Sequence, residues 1–195
     1  MKTTGFPKKI RVSIGSAVVL GLKNCWMDVK PTTAYLLLGR AEKCLANCGF
    51  CPQAKHSNSR ADMLSRITWP EFSIEEVISS IGKTAKTNKI RRICIQSLNY
   101  PQVFEDVLRL VKEIMFKVET SISVSCQPLT KEEMSQLFQA GVNRISIALD
   151  AASEEIFKKT KGTNVDGPYK WKEHRKALQK AVDVFGKGFV TTHLI

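Results

Sequence analysis

The amino-acid sequence predicts an α/β fold, a parallel sheet with helices packed on its outside. From Thr33 onward, segments with strand patterns alternate with segments of helical period, and helices separate five strand-like segments. Strands joined through helices lie parallel and are connected by right-handed crossovers. The 195 residues, of which 43% are hydrophobic, suffice for one domain with a sizeable core.

Each strand has a local signal. A continuous apolar run over residues 33–39 predicts a first strand that is buried on both faces. A strict alternation of period two over residues 121–126 predicts the third strand. The second, fourth and fifth strands are predicted over residues 90–97, 143–150 and 188–195.

The helices are predicted from their first residues. Ser73 and Thr130 are each followed three residues later by Glu, which is the capping-box pattern. Pro101 can open another helix, because proline is favoured in the first turn. A short helix from Ser153 and a longer one over residues 169–185 complete the set.

The basic character of the chain predicts an acidic partner. Lys and Arg outnumber Asp and Glu by 30 to 18, which gives a formal net charge of +12. Nucleic acid, an anionic membrane surface and an acidic protein are the partner classes that this charge suits. Basic residues cluster in segments 83–92 and 170–180, although such clusters are also typical of ordinary solvated helix faces.

The chain divides into an N-terminal extension, residues 1–32, and the alternating region, residues 33–195. It stops inside or at the end of the fifth predicted strand, so we expect the natural polypeptide to continue or a partner to complete the fold. No apolar run approaches the ~18 residues that a membrane span needs, and no signal-peptide cleavage site follows the apolar stretch before Lys23. We therefore expect a cytoplasmic protein without membrane contact.

The strongest chemical signal is a CxxxCxxC run, Cys44, Cys48 and Cys51, directly after the first strand. In a cytoplasmic protein, the six cysteines are more typical of metal ligands or buried thiols than of disulfides. Three thiolates are one short of a closed zinc site and of the four that saturate a [4Fe-4S] cluster. A cluster would keep one iron open to another ligand, whereas zinc would take His56 as its fourth ligand.

This loop, placed after the first strand of a βα fold, resembles the hallmark of the radical S-adenosylmethionine (SAM) superfamily. The resemblance implies a partial (βα) TIM-type barrel in which Cys44, Cys48 and Cys51 hold a [4Fe-4S] cluster. The amino and carboxylate groups of SAM would chelate the open iron, and one-electron reduction would cleave SAM into methionine and a 5′-deoxyadenosyl radical. Phe50 takes the aromatic position that lies against the adenine in this family.

The continuation of the loop is similar to biotin synthase, because Gln53 follows the last cysteine by two residues. Biotin and lipoyl synthases take sulfur from a second, auxiliary iron–sulfur cluster. The resemblance implies that Cys94 in the second strand and Cys126 at the end of the third bind such a cluster. The fifth strand lacks the cysteine that biotin synthase has there. As an alternative, Cys94 and Cys126 are buried structural thiols, and Cys25 has no assigned role.

The fourth predicted strand carries two further candidates. Because alternate side chains point to opposite faces, Ser146, Ala148 and Asp150 share the face toward the barrel interior. Ser146 is a candidate for the ribose of SAM, and Asp150 for SAM or the substrate. Alternatively, Asp150 is a turn residue or helix N-cap before Ser153. Ala148 stands where biotin synthase has an asparagine, which argues against dethiobiotin as the substrate.

Residues 62–70, together with CLANCGFCPQ and residues 12–22, resemble the archaeal-type two-component lipoyl synthases, and the chain is most similar to their smaller component. The resemblance implies a radical SAM sulfurtransferase that acts on an octanoyl chain attached to a lysine of an acidic lipoyl carrier protein. It also implies a second radical SAM component and an electron donor such as ferredoxin or flavodoxin. Two other interpretations stay open: a biotin-synthase-like reaction on a small molecule, and a zinc-stabilised module that binds nucleic acid.

Overall fold

The computed structural model describes residues 5–40 and 43–194, and its central feature is a seven-stranded sheet. In chain order the elements are β1 (Lys9–Val12), α1 (Ile14–Val19), β2 (Thr33–Leu38), β3 (Met63–Leu64), β4 (Ile67–Thr68), β5 (Glu71–Ser73), α2 (Ile74–Lys86), β6 (Arg92–Ser97), α3 (Val103–Lys117), β7 (Ser121–Cys126), α4 (Lys131–Gln139), β8 (Val142–Ile147), α5 (Glu154–Thr160), a short 3-10 helix (Thr163–Val165), α6 (Trp171–Phe185) and β9 (Val190–Thr191).

Five of the strands are parallel. The sheet has the order β5-β1-β2-β6-β7-β8-β9, and β2, β6, β7, β8 and β9 pair in parallel. Helices α2, α3, α4 and α6 lie in the crossovers between these strands. This arrangement confirms the predicted α/β fold, a partial barrel of parallel strands with helices packed outside.

The core lies between the sheet and its helices. One face of each central strand carries fully buried branched side chains, such as Ile93, Val124 and Ile145. The opposite face carries small or polar side chains; Cys94 and Ser123, for example, are register partners on β6 and β7. Because the apolar face is covered by helices, the polar inner face remains for a functional site.

Two strands are shorter than the sequence predicts, and their predicted carboxyl ends are wrong. The fourth predicted strand is β8, which ends at Ile147 instead of at residue 150. Beyond it the backbone turns, because Asp150 has a left-handed φ of 56° and its carboxylate binds Lys161. The fifth predicted strand forms a ladder only at Val190–Thr191, since the hydroxyl of Thr192 then bonds to Ile147 O; residue 195 lies outside the described residues.

The N-terminal extension contributes a strand to the same sheet. β1 lies antiparallel between β2 and β5. Ser13 caps α1 because its hydroxyl accepts a hydrogen bond from Ser16 N. The extension therefore packs against the region that begins at Thr33.

The longest helices, α3 and α6, have 15 residues each. Within residues 5–40 and 43–194, no helix has the length and apolar character needed to cross a membrane.

Candidate active site

A cavity of about 770 Å³ opens at the carboxyl ends of the parallel strands, and the three cysteines of the CxxxCxxC loop line it. Its volume is within the range of small-molecule sites. The strand ends contribute polar side chains to its wall, namely Gln96 and Ser97 from β6 and Ser125 from β7. This edge is where parallel α/β folds bind their ligands.

Hydrogen bonds from the backbone hold the first cysteine of the loop. Cys44 Sγ accepts from Asn99 N at 3.1 Å and from Ala46 N at 3.4 Å. Cys44 N donates to Gln53 O at 2.8 Å, which closes the loop on itself. Asn99 follows β6, so this strand positions the sulfur of Cys44.

The other two cysteines lie on a tight turn that is hydrogen-bonded to segments that follow β8. Cys51 N donates to Cys48 O at 3.0 Å, and between them Gly49 N donates to Thr160 O at 2.8 Å. The side chain of Asn47 donates to Val165 O at 2.6 Å. The loop is therefore fastened to the end of α5 and to the 3-10 helix as well as to β6.

The surroundings of the thiols suit a group that supplies positive charge. Burial raises the pKa of Cys48 to about 12, while the Lys161 ammonium acts in the opposite direction. Burial also raises the pKa of Cys51, and a hydrogen bond from Gln53 N lowers it. Metal binding releases the proton of a coordinating thiol. Three thiols with backbone N–H donors at Cys44 and Cys51 fit a [4Fe-4S] cluster with one iron open.

The fourth ligand of the alternative zinc site is not at the cavity. His56 Nε2 lies 3.9 Å from an Asp166 carboxylate oxygen, and the imidazole is largely exposed. Within the described residues, no group of three or more His, Cys, Asp and Glu side chains could hold a single metal ion as it stands. Cysteines that bind an iron–sulfur cluster sit on different irons, so they do not need to converge on one ion.

Of the three predicted cofactor-binding residues, two line the cavity and one does not. Phe50 lines the cavity and is 42% exposed. Asp150 also lines the cavity but is buried, and its carboxylate accepts from Lys161 Nζ at 2.6 Å. Ser146 lies on the inner face between Ser125 and Thr191 and is not among the residues that line the cavity, although its register partner Ser125 is.

Lys161 is a site residue that the sequence interpretation missed. Its ammonium is buried, donates to Asp150 and to Ala148 O, and lies 5.2 Å from the centre of the Tyr169 ring. His193 Nε2 lies 3.5 Å from the second oxygen of Asp150. In the sequence Lys161 is one of three lysines within four residues, so no local pattern distinguishes the buried one.

The two predicted auxiliary-cluster ligands lie at different depths. Cys126 ends β7 and lines the cavity, whereas Cys94 pairs with Ser123, three residues earlier on that strand. At about 3.3 Å per residue, the two positions are about 10 Å apart along the strand. Burial raises the pKa of Cys126 to about 12, and burial also raises the pKa of Cys94. The structure does not bring these cysteines together, and Cys25 is exposed.

Gln53 is the second feature whose role the sequence interpretation missed. Its side chain is fully buried and accepts from Arg11 Nη1 at 2.9 Å. Its amide group donates to Ala61 O at 2.7 Å and to Met63 O at 2.6 Å. Gln53 thus connects the cysteine loop to β1 and to the hairpin β3–β4, which covers part of the cavity.

Comparison with protein families matches the Radical SAM superfamily over residues 40–195. Among curated proteins, the chain is 27% identical over 138 residues to a biotin synthase of Methanococcus maripaludis, a match that covers 70% of this chain and 40% of that protein. It is 24% identical over 151 residues to a probable GTP 3′,8-cyclase of Methanocaldococcus jannaschii, which covers 76% and 45%. The chain thus spans less than half the length of these curated relatives.

Solved structures show the same fold. The FeFe-hydrogenase maturase HydG from Carboxydothermus hydrogenoformans has a TM-score of 0.61 at 20% identity, over 83% of this chain and 35% of that one. Methylornithine synthase has a TM-score of 0.59 at 15% identity, over 81% of this chain and 43% of that one. At these identities the likeness concerns the fold alone.

Proposed function

The chain belongs to the radical SAM superfamily, and from this premise we propose that it acts on an octanoyl chain attached to a lysine of an acidic carrier protein, into which sulfur is inserted. Its cofactors are a [4Fe-4S] cluster and SAM. When bound, the cluster would supply the electron for the cleavage of SAM, and SAM would supply the radical that takes hydrogen from the substrate.

Different residues of the chain are proposed to bind the cluster, the polar end of SAM and its adenine. Cys44, Cys48 and Cys51 are the ligands, and the backbone N–H groups that point at Cys44 and Cys51 stabilise the negative charge of the sulfurs. We propose that the paired charges of Lys161 and Asp150 bind the polar end of SAM, because both line the cavity beside Cys48. Phe50, at the mouth, then lies against the adenine.

The apolar wall of the cavity is the observation that supports an acyl substrate. Four apolar side chains line the cavity that the three thiols share: Leu37 of β2, Leu98 just after β6, and Met63 and Leu64 of the hairpin. Burying an alkyl chain against such a wall is favourable by about 0.8 kcal/mol for each methylene. A carrier-bound chain can enter because the hairpin side of the cavity includes exposed residues such as Ser65.

A second component is proposed as the sulfur source. Among the described residues, the cysteines outside the CxxxCxxC loop are Cys25, Cys94 and Cys126, and they lie apart from one another. A second protein that carries an auxiliary iron–sulfur cluster is therefore proposed to meet this cavity. We also propose ferredoxin or flavodoxin as the electron donor.

The test measures hydrogen abstraction, so that it does not depend on the sulfur source. Anaerobically reconstituted protein, with roughly four irons per chain, is reduced and given SAM with a peptide whose lysine carries a deuterated octanoyl group. We expect deuterium in the 5′-deoxyadenosine that forms, and none with the Cys48→Ala variant. Unlabelled 5′-deoxyadenosine in the presence of the labelled peptide would contradict the proposal.

A biotin-synthase-like reaction on a small molecule is the second candidate function. The curated relatives favour it, because the protein of Methanococcus maripaludis is named a biotin synthase. Deuterated dethiobiotin in the same assay separates the two candidates. Deuterium transfer from dethiobiotin alone would replace the proposed substrate with a free small molecule.

A further inference from the structure

The hairpin β3–β4 turns through two residues with an unfavourable backbone. Leu64 pairs with Ile67, so Ser65 and Arg66 form a two-residue turn, and their φ angles are 51° and 65°. Turns of this kind need positive φ at both central positions and therefore favour Asn-Gly. A residue other than glycine in this region costs about 1 kcal/mol or more. The turn therefore holds an arginine where glycine is more stable.

The strained turn is at the mouth of the active-site cavity. Ser65 and Arg66 both line the cavity, and both are exposed to solvent. The hairpin is held from both sides, because Gln53 Nε2 bonds to Met63 O and Trp69 Nε1 donates to Leu64 O at 2.9 Å. The buried side chains of Gln53 and Trp69 thus hold β3, and so fix the position of the turn that follows it.

Arg66 differs from the other charged groups that line the cavity. Lys161 and Asp150 bind each other, and His193 lies 3.5 Å from Asp150. In the part of the chain that the structure describes, Arg66 has no hydrogen-bond or ion-pair partner. A guanidinium beside a ligand cavity suits a carboxylate, which it can bind through two parallel hydrogen bonds.

We infer that Arg66 is a substrate-binding residue, which pairs at the mouth of the cavity with a carboxylate of the substrate. The inference rests on the proposed function for the source of that carboxylate, which is an acidic side chain of the carrier protein beside the acylated lysine. Glycine at position 66 would relieve the strained turn but would remove the guanidinium. A free acid such as dethiobiotin supplies the same chemical group.

Binding of matched ligand pairs tests the inference without turnover. One pair is an octanoyl-lysine peptide with flanking Glu and Asp and the same peptide with Gln and Asn. The other pair is dethiobiotin and its primary amide. We expect the reconstituted protein with SAM to bind the carboxylate member of one pair about tenfold more tightly, as one charged hydrogen-bonded contact allows.

Three variants separate the role of Arg66 from the net charge and from the turn. R66Q should lose the preference for the carboxylate. S65N, whose asparagine tolerates a positive φ, should keep it, and so should K180Q, which removes an equal charge from exposed α6. R66G should lose the preference while it raises the midpoint of thermal unfolding, because glycine relieves the backbone.

The outcomes distinguish this inference from the proposed function. If only the dethiobiotin pair shows the preference and R66Q abolishes it, the result supports a carboxylate site at Arg66. The same result contradicts the carrier-bound substrate. A preference that R66Q retains, or no preference in either pair, would overturn the inference even if deuterium transfer from the octanoyl chain succeeds.

Discussion

Lys161 and Asp150 show how a single buried pair can decide the stability of the site. Both are about 6% exposed, and the ammonium lies 2.6 Å from the carboxylate. Burying two charges costs free energy that their attraction only partly offsets, so such a pair is weak evidence for stability. Removing one partner is different, because it leaves the other charge buried without compensation.

We therefore expect K161M to destabilise the fold by about 3–5 kcal/mol. K161M/D150N should recover part of that loss, since no charge is then left unpaired. The matched control is K159M, which breaks an exposed pair with Glu155 and should cost at most about 1 kcal/mol. Urea unfolding of the four proteins measures these differences, and equal losses for K161M and K159M would contradict the argument.

His174 makes stability depend on pH. Its ring is 1% exposed, packs against Phe157 and Tyr169, and its Nδ1 lies 3.2 Å from Lys170 O. Burial, followed by the charge of Lys161, lowers the pKa of His174 from 6.5 to about 4. Between pH 6.5 and about 4, this imidazole therefore stays neutral in the folded protein, whereas it is protonated in the unfolded chain.

The stability due to neutral His174 is complete above pH 6.5 and is lost as the pH falls toward about 4. This shift is equivalent to about 3 kcal/mol. H174Q, which cannot gain a charge, should show a smaller loss between pH 6.5 and pH 4, although it is less stable at pH 7. Urea unfolding at several pH values measures the effect, with H56Q at an exposed position as the control. Parallel pH curves for H174Q and the unaltered protein would refute this origin.

At the scale of elements, the cysteine loop depends on contacts with segments that are distant in the chain. Gln53 is the link, because its side chain binds Arg11 on β1 and the backbone of Ala61 and Met63 beside the hairpin. One fully buried side chain makes all three of these hydrogen bonds. Such networks specify one arrangement, and breaking them leaves several polar groups unpaired.

We expect Q53L to destabilise the protein by about 2–4 kcal/mol, because it removes three buried hydrogen bonds at nearly constant volume. The hairpin should also become more accessible to protease, since two of those bonds hold residues 61–63. Limited proteolysis with mapping of the cleavage sites, combined with urea unfolding, tests this. Loss of stability with no new cleavage between residues 57 and 69 would show that Gln53 does not hold the hairpin.

The elements differ in how far sequence alone predicts them. β2, β6 and β7 and the helices between them have strong local sequence patterns, and the structure confirms them. β1, β5 and the hairpin strands have two to four residues each, which is too short for a periodic pattern. The cysteine loop could be predicted because its motif is local. Lys161 and Gln53 are recognised only by partners on other segments, which no local pattern identifies.

At the scale of the whole molecule, two groups of exposed lysines lie at opposite ends of the parallel strands. Lys172 and Lys176 are exposed on the first turns of α6, next to Tyr169 and His174, which line the cavity. Lys83 is exposed on the last turn of α2, just before the start of β6 and so at the opposite edge. If the proposed function is correct, an acidic carrier protein that delivers its acyl chain to the cavity lies closer to the first group than to the second.

This division predicts how charge removal changes binding of the carrier protein. Both K172Q/K176Q and K83Q/K86Q remove two positive charges, so they alter the net charge equally. We expect K172Q/K176Q to weaken binding of an acidic octanoylated carrier domain about three- to tenfold at about 0.1 M salt, and K83Q/K86Q by less than about twofold. At that ionic strength exposed charges act over a Debye length of about 10 Å. Fluorescence anisotropy over a sodium chloride series measures both, and the difference between the variants should disappear at high salt. Equal weakening by the two variants would mean that the carrier responds to the net charge of the molecule and not to the edge at which the cavity opens.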